Sequence, residues 1–348
     1  MGKRSSKVAT VRLALRPGIA IPSVILCLLA GQIAFILLTF DGHRFNMTQG
    51  RSGLQAGTLA LPAARLPQPG RQAGDGQGRQ GGREEAILWW TAIILGVVEG
   101  LTEFLPISST GHLIVVGHFL GFKGATAVTF EIVIQLGAIL GVTFYLRSKI
   151  LLLLKGVLEG GPPRSFLLGI GIAFLPAAVV GLWLHEYIEK YLFNPITVAV
   201  ALIVGGVAIL VVERYHPSFR LSELDQVGPH SAFWVGVAQV LALFPGVSRS
   251  GATIMGGLLV GMRRDVATEF SFFLSIPTML IATTYDLYKS RDLLVTDDLL
   301  ALGVGLGMAF LTALGVVAAF LSFIKTHTFK PFAYYRIVFG LLILGVLS

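Results

Sequence analysis

The sequence predicts an all-α polytopic membrane protein built as an inverted-topology repeat. Two re-entrant helix pairs meet near the bilayer midplane, with about six full spans and an extra N-terminal anchor helix. Three observations predict this. Of the 348 residues, 54% are hydrophobic and 13% charged, and mean hydropathy is +0.77. Several apolar runs reach or approach the ~20 residues that a spanning helix needs. Two apolar segments are interrupted in the same way, by a proline and then a hydroxyl-rich turn with glycine. Paired interrupted helices in two halves point to a site where the breaks meet.

Residues 1–17 form a short basic tail with Lys3, Arg4, Lys7, Arg12 and Arg16. An apolar run, 18–40, follows. A basic segment before an apolar run is a signal-anchor pattern that holds the N-terminus in the cytoplasm, and a cleaved signal peptide is the competing reading. Residues 41–85 are rich in Gly, Gln, Arg and Pro, a composition that cannot bury a core and reads as a disordered linker. The net charge of +8 belongs to this extension. Residues 1–85 carry eleven Lys and Arg against four Asp and Glu, and the rest of the chain carries sixteen against fifteen. The basicity is therefore no argument for nucleic acid. Cys27 is the single cysteine, which excludes an intramolecular disulfide and a thiolate metal site.

The membrane domain occupies 86–348, with repeat one at about 86–212 and repeat two at about 231–348. The first broken segment, 86–120, contains GVVEGLTEFLPISSTGHL from Gly96 to Leu113. Each of its arms is too short to span, so it reads as a re-entrant pair. Full spans are expected near 128–146, 166–184, 196–212, 268–286, 300–324 and 333–348. The second broken segment, 231–260, contains LALFPGVSRSGAT, and its SRSG aligns with SSTG of the first. Arg147, Lys149, Lys155 and Arg164 are expected in one loop. Arg214 and Arg220, Arg263 and Arg264, and Lys325 and Lys330 fall in loops on the same side, which the positive-inside rule makes cytoplasmic. The first pair then enters from outside and the second from inside.

Ionisable groups at membrane depth are costly, so by default they mark function. Glu99 and Glu103 are four residues apart and share one helix face. Ser108, Ser109, Thr110 and His112 follow Pro106. In the second motif Arg249 sits between Ser248 and Ser250, with Gly251 and Thr253 beyond. A guanidinium fork matches phosphate oxygens, and glycine-flanked turns leave backbone N–H groups for an anion. Two carboxylates beside a phosphate cradle would repel it unless a hard cation such as Mg²⁺ or Ca²⁺ intervened. His112 is close enough to Ser109 to act on it or on water. Glu131 and Gln135 share a helix face near the first motif and read as supporting residues. Duller readings compete: Glu99 and Glu103 as an ion-pair relay with Arg249, the hydroxyls as caps for broken backbone, His112 as a structural donor. By class the main rival is a transporter of lipid phosphates.

The motifs EGLTEFLPISSTGHLIVVGH and FPGVSRSGATI resemble the two signatures of the bacterial undecaprenyl-diphosphatase family, also known as the bacitracin-resistance family. TFEIVIQLGAIL, FNPITVAVALIVGG and EFSFFLSIPTML are similar to the same family, so the resemblance runs from about Ala86 to the C-terminus. It implies hydrolysis of undecaprenyl diphosphate to undecaprenyl phosphate and inorganic phosphate, recycling the lipid carrier of peptidoglycan synthesis and conferring bacitracin resistance. It also implies a divalent cation, a multi-pass protein of the cell inner membrane, and a site facing the periplasmic or outer side. Glu99 and Glu103 match the family's paired glutamates, and Ser109 and His112 its hydroxyl and imidazole. Arg249 matches its essential arginine, with Ser248, Ser250 and Thr253 as flanking hydroxyls. The partners implied are the polyprenyl diphosphate and membrane lipid, with a homodimer as a candidate assembly.

Overall fold

The computed structural model describes residues 77–122, 125–158, 163–289 and 299–347. The basic tail 1–17, the anchor 18–40 and linker residues 41–76 lie outside the described residues. Within them the chain is helical: α1 Gln77–Thr102, α2 Ser109–Phe119, α3 Ala125–Leu158, α4 Pro163–Leu192 and α5 Pro195–Tyr215 form the first half. The second half comprises α6 Pro229–Val240, α7 Arg249–Leu259, α8 Arg264–Lys289, α9 Leu299–Ile324 and α10 Lys330–Leu347.

Five helices contain stretches long and apolar enough to cross a bilayer: 127–156, 164–184, 195–215, 264–289 and 299–324. They coincide with the first five expected spans. The eighteen residues of α10 cover the sixth. By contrast α2 and α7 have eleven residues each, about 16 Å of helix, or roughly half the apolar thickness of a bilayer. The apolar parts of their partners, 89–102 and 229–243, are also short.

Two boundaries differ from the sequence reading. The first helix begins at Gln77, inside the stretch read as linker, because Gln, Arg and Glu sustain a helix that the apolar run has already nucleated. Arg147, Lys149 and Lys155, expected in a loop, lie on the last turns of α3. Long basic side chains do not oppose a helix, and Lys155, in the last turn, suits its dipole. Lys149 pairs there with Glu269 of α8.

Packing explains much of the glycine. The helix α9 is held between α1 and α3. A Cβ on Gly96 or Gly100 would collide with the backbone of Gly305 or Ala309, and one on Gly137 or Gly141 with Leu306 or Phe310. Each pair is four residues apart, so one stripe on each helix admits the α9 backbone, as small residues do between membrane helices. Elsewhere large apolar side chains face outward. Trp183 is 91% exposed, and Leu182, Val179 and Leu175 on the same helix α4 are exposed too. A bilayer, not water, is the solvent that suits such a surface.

Candidate active site

The two breaks share one backbone design. At the first, the last helical bond runs from Glu103 N–H to the Glu99 carbonyl at 3.0 Å, and a turn carries the chain to Ser108. At Ser108 φ is +69°, and at Ser248 it is +73°. Among the described residues these are the non-glycine positions with positive φ, a conformation that costs about 1–3 kcal/mol and collects at functional sites. Each serine starts an eleven-residue helix, and each helix is followed by a positive-φ glycine, Gly121 or Gly261. On this register Ser109 corresponds to Arg249, and Glu99 to Gln239.

The turns are bolted together. Ser250 Oγ donates to the Leu105 carbonyl at 2.7 Å, and Ser248 Oγ, 3.0 Å from Ser250 Oγ, accepts the Gly251 N–H at 3.2 Å. Thr253 Oγ1 donates to the Arg249 carbonyl at 2.9 Å and lies 2.6 Å from Ser271 Oγ of α8. A residue unread from sequence does most of the joining. Arg336, 1% exposed on α10, donates from Nη1 to the carbonyls of Pro106 (3.1 Å) and Val247 (2.9 Å). From Nη2 it donates to Gly246 (3.0 Å) and Ala201 (3.2 Å), and from Nε to Leu202 (3.3 Å). It therefore binds the first turn, the second turn and α5 at once. Gly205 leaves it room, since a Cβ there would strike the guanidinium. The signal was available: one arginine inside an otherwise apolar final span.

This framework brings the two motifs into contact. Glu103, 8% exposed, accepts from Ser109 Oγ at 2.5 Å with Oε2 and from Arg249 Nη2 at 3.0 Å with Oε1. The Arg249 guanidinium lies 5.4 Å from the Phe104 ring centroid, and its Nη2 is 2.9 Å from Met279 Sδ. Its Nε is buried with no acceptor among the described residues. The same is true of Glu99 Oε2, although Glu99 feels the charges of Glu103, Glu131 and Arg249. The site thus holds an unused donor on Arg249 and an unused acceptor on Glu99.

The remaining expected residues fall around this cluster. Ser108 is buried and Thr110 is partly exposed at the start of α2, whose first turn has no side-chain cap and so leaves N–H groups for an anion. Glu131 is partly buried on α3, and Gln135 Oε1 accepts from Thr283 of α8 at 3.3 Å. His112 differs from expectation. Its Nδ1 is 2.7 Å from the Ser108 carbonyl and its Nε2 2.6 Å from the Tyr335 hydroxyl, so both nitrogens are engaged away from Ser109, whose proton points to Glu103. Gln239 is buried with neither side-chain polar atom paired among the described residues, and nothing in the structure explains it.

As a cation site the donor set is suggestive but incomplete. Glu99 offers a free buried carboxylate oxygen, and Glu103 sits on the same face, but both its oxygens already have partners. Among the described residues no group of three His, Cys, Asp or Glu is placed to hold a metal. A hard cation would need phosphate oxygens to complete its shell.

Comparison with known proteins places the chain among relatives. The family model described as bacitracin resistance protein BacA matches residues 92–342. The chain is 53% identical to an undecaprenyl-diphosphatase of Caldanaerobacter subterraneus subsp. tengcongensis, over 74% of this chain and 95% of that one. It is 54% identical to one of Aromatoleum aromaticum (74% and 94%) and 51% identical to one of Methylobacillus flagellatus (75% and 98%).

Proposed function

The chain belongs to the bacitracin resistance protein BacA family, and from that membership together with the site we infer how it works. It is a multi-pass membrane enzyme that hydrolyses undecaprenyl diphosphate to undecaprenyl phosphate and inorganic phosphate. The observation that carries the mechanism is the bridge at Glu103, which holds the Ser109 hydroxyl on one oxygen and Arg249 on the other.

Ser109 is the nucleophile in the reading this geometry favours. Its Oγ attacks the terminal phosphorus, its proton passes to Glu103, and the bond to the bridging oxygen breaks, releasing the polyprenyl phosphate. Water then cleaves the phosphoserine, with the Oγ leaving group regaining a proton. Arg249 turns its free Nε to the phosphate while Nη2 keeps Glu103 in place, and the uncapped amides of α2 meet the same charge. Ser248, Ser250, Gly251 and Thr253 hold the second turn so that Arg249 is aimed, and Ser108 and Thr110 shape the first. A water activated by His112 is the other route, and it requires Nε2 to exchange the Tyr335 hydroxyl for that water. Glu99 and Glu103 are the residues that would hold Mg²⁺ or Ca²⁺, a cation that would supply neutralisation of phosphate charge.

We place the protein in a bacterial inner membrane with its site towards the outer side, recycling the lipid carrier of cell-wall synthesis. Its partners are the lipid substrate and the surrounding bilayer, not nucleic acid, and a homodimer is the assembly to test by cross-linking.

The test is phosphate release from a C55 diphosphate by the purified protein in detergent. Mg²⁺ or Ca²⁺ is compared with EDTA, and the native chain with Arg249→Ala. Detergent leaves no two compartments, so lipid transport alone gives no signal. Release that fails with chelator and with Arg249→Ala is expected. No release from well-folded protein would overturn the assignment of the site.

A further inference from the structure

His112 is fixed in a way the reaction as written does not use. A carbonyl oxygen can only accept a hydrogen bond, so the Nδ1 that lies 2.7 Å from the Ser108 carbonyl carries the proton. In the neutral ring Nε2 is then the acceptor, and the hydroxyl 2.6 Å away, Tyr335, donates to it. The ring plane is fixed as well. Tyr335 lies parallel to the imidazole at 2° and 5.6 Å between centroids, and Phe339 stacks on it at 19° and 4.4 Å. Tyr335 and Phe339 are four residues apart, so one face of α10 supplies both contacts.

That face cannot drift. Arg336, next to Tyr335, ties α10 to the carbonyls of Pro106, Gly246 and Val247 in the two turns. Ser108, whose carbonyl holds Nδ1, is itself the positive-φ residue that opens α2. The imidazole is therefore clamped between the first turn and the last helix. Tyr335 is 45% exposed, whereas the imidazole it holds is buried.

We propose that Tyr335 is a positioning residue of this hydrolase: with the Ser108 carbonyl holding the proton on Nδ1, its hydroxyl donates to Nε2, the one basic nitrogen of His112, and holds the ring in place. Any proton that His112 takes up enters at Nε2.

The kinetic part rests on the hydrolase reading, and the tautomer part does not. In ¹⁵N-histidine-labelled native protein, with His112 assigned by the signal lost in His112→Asn, the neutral ring is expected to carry its proton on Nδ1. Tyr335→Phe keeps the stacked ring and removes the hydroxyl. Its spectrum should keep the proton on Nδ1, held by the Ser108 carbonyl, and the Nε2 signal should move to that of a nitrogen without a donor. Its kcat should fall about tenfold, the scale of one hydrogen bond, with KM within about twofold. Combining Tyr335→Phe with His112→Asn should lower kcat no further than His112→Asn alone, because a residue acting through another adds nothing once that other is gone.

A native spectrum with the proton on Nε2 overturns the proposal whether or not the variant folds or the protein hydrolyses anything. So does a Tyr335→Phe enzyme with native kcat, or one whose loss multiplies that of His112→Asn.

Discussion

Replacing Arg336 by Met keeps the length and volume of the side chain and removes all of its donors. Five carbonyls lose a partner. Ala201 and Leu202 lie inside α5 and can keep their helical bonds, but Pro106, Gly246 and Val247 are in turns where no amide replaces the guanidinium. Three buried carbonyls left short cost about 1–3 kcal/mol each, offset by no longer burying a charge, so the net loss is about 2–4 kcal/mol. At roughly 2–4 °C per kcal/mol for a chain of this size class, the unfolding midpoint in detergent should fall by about 5–15 °C. The turns that carry Glu103 and Arg249 loosen with it, so phosphate release should fall at temperatures where the protein is still folded. Lysine has three donors on a single point and cannot span the three groups of carbonyls, so Arg336→Lys should recover only part of either loss. Native melting and native release in Arg336→Met would refute the argument that this side chain holds the turns.

Three further outcomes follow from the geometry. Glu103→Gln keeps the shape but removes the charge and puts an amide donor in place of one of the two oxygens on which Ser109 and Arg249 donate. Release should fall at least about 100-fold, the range for losing an acid–base group, and retention of near-native kcat would sink the role given to Glu103. Gly137→Leu forces a side chain into the α9 backbone, and overpacking should cost about 1–3 kcal/mol or more, read as a lower melting temperature in detergent; an unchanged melt would mean that the helices do not meet as described. Lys149→Ala breaks an ion pair whose lysine is 58% exposed. Surface pairs contribute about 0–1 kcal/mol, so melting and activity should stay near native, and a large loss would show that the pair does more than decorate the surface.

What the sequence makes legible here is the costly chemistry. Glu103 and Arg249 stand out because charged groups in apolar runs need a reason, and the structure puts them 3.0 Å apart. That pairing was one of the duller readings, and it proves compatible with the sharper one, since the other oxygen of Glu103 holds Ser109. Helix positions are legible from apolar length, but ends are not: α3 runs on through Arg147, Lys149 and Lys155, because charge alone does not break a helix. The partners of His112 and the role of Arg336 are hidden for another reason. They depend on α10 packing against a helix residue and a turn 223 and 230 residues away in the chain, and no local pattern encodes such a meeting. Spacing suggested His112 beside Ser109; three residues along a helix turned the imidazole to the opposite partner.

The long reach of these contacts shapes how the protein is made. Glu103 is synthesised 146 residues before Arg249 and the Pro106 carbonyl 230 residues before Arg336. At about 5–20 residues per second, the first turn waits roughly 7–30 s for its counter-charge and longer still for its bolt. During that interval it sits in or beside the bilayer as a broken helix with two carboxyl groups and no arginine. Membrane insertion of the first half is therefore a holding state. A ribosome that stops before α10 delivers an unbolted bundle to quality control instead of a shorter enzyme.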